Sequence, residues 1–190
     1  LPEEILAVTF TNKAAKEMAE RVNSLVDFLP GGYRPTVCTF HSLGVRILKE
    51  NAALLGLSRY FTILDDSDSM SLIKESMKEL GIDPKATAPR AVRSVISKNK
   101  NNFISPDEFA GLIRSHVGTT TLAIWRKYET KKTEEGALDF DDLLLKTVLL
   151  LEKNPEVLKM YQERFRYIHI DEYQDTNKVQ YMLTTMLSEK

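Results

Sequence analysis

The chain has 190 residues, 43% of them hydrophobic and 28% charged, a composition that can build a sizeable folded core. The net charge of −1 excludes a global basic field, so any grip on a polyanion has to come from a local patch. Cys38 is the only cysteine, which excludes an internal disulfide, and Lys146 and Glu152 bracket the leucine-rich stretch too tightly for a membrane span.

In chain order, Ile5 to Val8 is an apolar run that ends at the polar set Thr9 to Asn12, which predicts a buried strand. Ala15, Met18, Val22, Leu25, Val26 and Leu29 then recur at helical spacing until Pro30-Gly31-Gly32. Thr36 to Phe40 reads as a second strand. A second helix follows, with Leu43, Ile47, Leu48, Leu54 and Leu55 on one side. This strand–helix alternation predicts a parallel sheet.

From about Asp66 to Glu135 the pattern becomes helical. Met70, Ile73, Met77 and Leu80 form one stripe, Val92, Val95 and Ile96 another, and Leu122, Trp125 and Tyr128 a third. Ser105 before Pro106 predicts a capped helix start. Asp139 caps a helix whose leucines, Leu143 to Leu151, cover most of its circumference. Asn154-Pro155 opens another helix. Tyr167 to Ile170 returns to strand, and Val179, Met182, Leu183 and Met186 mark a closing helix. The fold class expected is therefore α/β, a parallel-sheet lobe interrupted by a mainly α-helical insertion. Residues 1–42 and 166–190 are assigned to the lobe and 43–165 to the insertion.

Five stretches offer chemistry. Asp171-Glu172 follows a strand directly, where a carboxylate can hold Mg²⁺ and a neighbouring one can orient or deprotonate water. A solvated acidic turn fits the same two residues. Thr9, Phe10, Thr11, Asn12 and Lys13 precede a helix, where they suit either phosphate contact and base stacking or plain capping and core. Thr39, Phe40, His41 and Ser42 repeat that placement one unit later. Lys85, Arg90, Arg93, Lys98 and Lys100 make a local basic window suited to a duplex backbone. It is equally a solvated face if Asp65, Asp66 and Asp68 balance it. Asp139, Asp141 and Asp142 complement a helix dipole, and capping explains them without a metal. The three histidines have no metal-ligand spacing.

In this order, "AVTFTNKAAKEM", "TFHSLGVRIL", "LDFDD" and "IDEYQDTN" resemble motifs of the UvrD/Rep/PcrA helicases, superfamily-one DNA translocases. The resemblance runs from Ile5 to Leu187. It implies a RecA-like P-loop NTPase lobe carrying an accessory subdomain that faces duplex DNA. By it, Asp171 and Glu172 match the Walker B pair, the Mg²⁺ partner and the catalytic base for ATP hydrolysis, and Gln174 lies near the nucleotide. Thr9, Phe10, Thr11 and Asn12 match the motif that grips single-stranded DNA, with Phe10 stacking on a base. Thr39, Phe40 and His41 match the next DNA-contacting motif, and Lys98 and Lys100 would meet the duplex. Asp139 and Asp142 match an acidic motif with a structural role.

The implied cofactors are ATP and Mg²⁺. The implied partners are single-stranded DNA, 3′-tailed duplex DNA and the missing helicase lobes of the same chain. The expected setting is cytoplasmic DNA repair or replication. No Gly-Lys dipeptide occurs, so the phosphate loop with its strand is missing. The chain starts at Leu1 and is expected to be a fragment of a 3′-to-5′ helicase, inactive on its own. The competing readings are a non-catalytic DNA- or protein-binding module, and a metal-dependent nuclease built on Asp171, Glu172 and the Asp139 cluster.

Overall fold

The computed structural model of the protein describes residues 1–26 and 33–189. Leu29 and the Pro30-Gly31-Gly32 stop lie outside the described residues. The elements run β1 (Ile5–Thr9), α1 (Asn12–Val26), β2 (Thr36–Thr39), α2 (Phe40–Glu50), β3 (Thr62–Leu64), α3 (Asp66–Glu79) and α4 (Pro89–Asn101). They continue with α5 (Pro106–Leu112), α6 (His116–Glu134), β4 (Ala137–Asp139), α7 (Phe140–Lys153), α8 (Pro155–Arg164), β5 (Tyr167–Ile170) and α9 (Lys178–Ser188). Two compact units result, residues 1–50 with 146–190, and residues 51–145.

The first unit holds a three-stranded parallel sheet in the order β2-β1-β5. Leu6 stands opposite Thr36 on one side and Ile168 on the other. A central parallel strand is covered on both faces, which is why β1 reads as a continuous apolar run rather than an alternation. Leu6 and Val8 are buried, each contributing on the order of 1.5–3 kcal/mol. The second strand stops at Thr39, one residue earlier than its sequence suggests, because the Thr39 hydroxyl caps α2 and Phe40 opens that helix.

Helix α2 buries Leu43, Ile47 and Leu48 but ends at Glu50. Leu54 and Leu55, expected on its apolar side, belong instead to a 3-10 turn, Ala52–Leu55, and Leu54 is exposed. Gly56 closes that turn at φ 64°, a left-handed conformation that favours glycine. Helix α8 belongs to the sheet unit as well: its buried Tyr161 donates a hydrogen bond to Glu50 Oε2 at 2.6 Å. The unit boundaries therefore fall at 50/51 and 145/146, whereas the sequence suggested 42/43 and 165/166.

The second unit is mainly helical around a two-stranded parallel sheet, β3 with β4. Three-residue strands are too short to leave a period in the sequence, and neither was expected. The core gathers Leu72, Ile73 and Met77 of α3, Val92 and Ile96 of α4, and Ile124, Trp125 and Tyr128 of α6. Phe109 of α5 packs on Trp125 with ring centroids 5.7 Å apart. Ser105 caps α5 as its sequence predicts, accepting from the Glu108 N–H at 3.2 Å. Leu80 lies past the end of α3 and is exposed. Among the described residues, no helix is long and apolar enough to cross a membrane.

Candidate functional site

Parallel strands share a carboxyl end, and here β1, β2 and β5 deliver three of the singled-out stretches to it. Thr9 closes β1, Thr39 closes β2, and Asp171 follows β5. The Asp171 N–H donates to Val8 O at 3.0 Å, which extends the β1–β5 ladder by one bond. The Thr9 hydroxyl donates to Asp171 Oδ2 at 3.3 Å. Glu172 follows in a left-handed conformation, φ 49° and ψ 45°, uncommon for a residue with a side chain. A 3-10 turn, Tyr173–Asp175, then brings Gln174 back to donate to the Glu172 carboxylate. Asp171, Glu172 and Gln174 are all solvent-exposed.

Two helices start at this edge. Thr11 caps α1 through its hydroxyl, which accepts from the Ala14 N–H at 3.1 Å. Neither α1 nor α2 has an acidic residue in its first turn. Their positive dipole ends are thus left uncancelled by side-chain carboxylates, as an anion-binding edge requires. Phe10, Thr11 and Asn12 are accessible, with Phe10 half-buried and His41 likewise. Phe10 leans on Phe40, with centroids 5.5 Å apart and planes inclined at 58°.

Three of the expected DNA contacts need correcting. Thr9, Thr39 and Phe40 are buried and offer no surface to a nucleic acid strand. Thr9 is committed to Asp171, Thr39 to the cap of α2, and Phe40 to the core beneath Phe10. They shape the edge, while Phe10, Thr11, Asn12 and His41 form its reachable part.

The sequence matches the UvrD/REP helicase N-terminal domain over residues 1–190. The chain belongs to that family. It is 44% identical over 189 residues to the ATP-dependent DNA helicase PcrA of Bacillus subtilis and 43% identical over 191 residues to that of Staphylococcus aureus. It is also 43% identical over 192 residues to PcrA of Staphylococcus epidermidis. All of this chain is covered, but it spans only about a quarter of the length of those relatives, 25–26%.

In the second unit of this UvrD/REP domain, the basic window splits in two. Lys85, Arg90 and Lys98 are exposed. Arg93 is paired with Asp66 and Asp141, each at 3.1 Å. Lys100, expected to face duplex DNA, is only 2% exposed and is corrected to a core residue. Its ammonium lies 2.7 Å from Asp142, 2.9 Å from Asp139 and 2.7 Å from Glu129. Lys132, equally buried, contacts the same three carboxylates. The Tyr128 hydroxyl donates to Asp139 Oδ2 at 2.9 Å, and the Lys132 ammonium sits 4.7 Å from the Tyr128 ring centroid.

This cluster also settles how the acidic stretch works. Each of Asp139 and Asp142 accepts the other's backbone N–H on its carboxylate, Asp142 N–H to Asp139 Oδ1 at 2.8 Å and Asp139 N–H to Asp142 Oδ2 at 3.1 Å, which caps α7. Glu129, Asp139 and Asp142 have the closeness of a metal site. The two lysine ammoniums fill it with positive charge, so the nuclease reading loses its acidic cluster.

Burial alone would raise the Asp139 carboxyl, but Lys100 and Lys132 outweigh it and hold it well below the ordinary value of 3.8. A depressed folded-state value gives stability that is complete above 3.8 and lost as pH falls from there toward the folded value. Acid titration followed by the fluorescence of Trp125, the only tryptophan, should show the second unit loosening below about pH 4. Asp139→Asn should flatten that dependence, and an unchanged acid slope would sink the assignment.

Proposed function

We propose that this chain is the RecA-like first motor lobe of a 3′-to-5′ ATP-dependent DNA helicase, with residues 51–145 as its inserted accessory subdomain. The observation that carries the reading is the convergence of the Asp171-Glu172 pair and the Phe10 stretch on one sheet edge, linked by Thr9. The ligand crevice of an open α/β sheet lies at this end of the strands.

The oxygen ligands on offer are the exposed carboxylates of Asp171 and Glu172, side by side at the end of β5, and hard oxygen donors fit Mg²⁺. Asp171 would hold the ion directly or through water, and Mg²⁺ when bound supplies charge neutralisation for the triphosphate. Glu172 is the general base for the attacking water, and the Gln174 amide fixes the carboxylate that takes the proton. For ATP the chain offers one half of a site. Without a Gly-Lys phosphate loop it holds no triphosphate cradle, so the chain by itself does not turn ATP over.

Single-stranded DNA lies along the edge on Phe10, with Thr11 and Asn12 at the start of α1 meeting phosphates. The exposed Arg90 and Lys98 face the duplex of a 3′-tailed substrate. A repair or replication role of this kind belongs with the chromosome, in the cytoplasm of a bacterium such as those that carry the relatives.

Fluorescence anisotropy on the full-length protein tests the DNA half. Phe10→Ala should weaken binding to an oligo-dT strand by about 5- to 150-fold, the value of one stacked base. An Arg90→Ala/Lys98→Ala variant should flatten the log–log salt slope on duplex DNA by about 0.9 per lost contact. Wild-type behaviour in both variants would remove the DNA-binding assignment.

A further inference from the structure

Thr9 stands between the two halves of the sheet edge. Its hydroxyl donates to Asp171 Oδ2, and its backbone continues directly into Phe10. The side chain is only 2% exposed, at the end of a strand whose other inner positions are aliphatic. A buried hydroxyl needs a partner, and the one it has is a carboxylate at the solvent edge. Helix capping does not account for Thr9, since Thr11 caps α1 and Thr39 caps α2.

Asp171 is held from β1 twice, by Val8 O through its backbone N–H and by the Thr9 hydroxyl through its side chain. The first contact fixes where the residue sits, and the second fixes the rotation of its carboxylate. With Oδ2 accepting from Thr9, the remaining lone pairs are those left for a cation. The contact is 3.3 Å long, against about 2.7–2.8 Å for a usual hydroxyl bond, so it has room to tighten. Any displacement of the carboxylate is felt at the end of β1. One peptide further on, Phe10 rests against Phe40.

We propose that Thr9 is a positioning residue that couples cation–nucleotide occupancy at Asp171 to single-stranded DNA occupancy at Phe10. The inference rests on the roles given to Asp171 and Phe10 above. Such a coupling is a free energy shared by the two sites, so each ligand changes the affinity for the other by the same factor. Removing the hydroxyl should uncouple the sites without emptying either.

The test uses the full-length protein and measures the dissociation constant of an oligo-dT strand with and without Mg²⁺ and a non-hydrolysable ATP analogue. In the wild type the two constants should differ by about fivefold or more. Thr9→Val, which keeps the shape and loses the hydroxyl, should bring their ratio to near one while leaving nucleotide-free DNA affinity within about twofold. Thr9→Ser should restore the wild-type ratio. A ratio unchanged in Thr9→Val overturns the proposal, as does equal loss in Thr9→Val and Thr9→Ser, which would mark the methyl group as the part that matters. A wild-type ratio of one also overturns it. The reading of Asp171 fails separately, if Asp171→Asn keeps both the ratio and normal ATP turnover.

Discussion

Lys100→Met is expected to destabilise the second unit by about 3–5 kcal/mol, the cost of removing one partner from a buried ionic cluster. The two buried lysines face three carboxylates, and Asp139 and Asp142 are as inaccessible as the lysines. Burial works against the Lys100 charge, and Asp142, Asp139 and Glu129 together more than reverse that and hold it protonated. Methionine matches the stem but leaves those acids with Lys132 alone. Urea unfolding read through Trp125 is well placed to see this, because its indole N–H donates to Glu129 at 3.1 Å. The control is Lys98→Met, two residues away on the same helix but exposed, which should stay within about 0.5 kcal/mol of wild type. A Lys100→Met loss no larger than the control's would mean that the cluster is not closed in solution.

Glu172→Gln in the full-length protein is expected to lower the DNA-stimulated ATP turnover number by about 100-fold or more, the usual contribution of a general base. The replacement keeps size and hydrogen-bonding shape, so the turn that Gln174 helps to close should survive. Single-stranded DNA affinity should therefore be unchanged, because Phe10, Thr11 and Asn12 are untouched. Turnover within about threefold of wild type would exclude Glu172 as the base. Lost turnover together with lost DNA binding would point to a collapsed edge instead.

Much of the fold was legible because the periods are long. The apolar run of β1, the leucines of α7 and the Ser105 cap each carried their own physical signature. The sheet edge was legible too, since polar residues take over at the end of each apolar strand. Burial of short polar residues was not. Thr9 looks the same in sequence whether it faces DNA or its own chain, and only the tertiary position of Asp171 decides. Thr39, by contrast, caps α2 through Ser42 three residues on, the local alternative that its sequence already offered.

Lys100 did leave a trace. It continues the buried row Val92–Ile96 at the next helical step of α4, and Lys132 likewise continues Thr121, Trp125 and Tyr128 on α6. A lysine in phase with a core stripe announces a buried partner, and the acids of "LDFDD" were the partners on offer. The positive charges of the window lie on two faces of α4, with Arg90 and Lys98 exposed and Lys100 buried, so a run of like charge in sequence conceals that pairing. Strands β3 and β4 were missed because three residues leave no period, and their pairing depends on residues far apart in the chain.

The pairing of β1 with β5 has a bearing on synthesis. Ile5 must wait for Tyr167 before the sheet can close, and at ribosomal speed that delay is on the order of ten seconds or more. Meanwhile residues 51–145 emerge as one uninterrupted stretch containing their own core. The inserted unit can therefore fold first and shorten the tether across which β1 must find β5. During that interval β1 has only β2 beside it, and its β5 side, at Leu6 and Val8, stays open. That open strand edge is where a chaperone would act until β5 arrives.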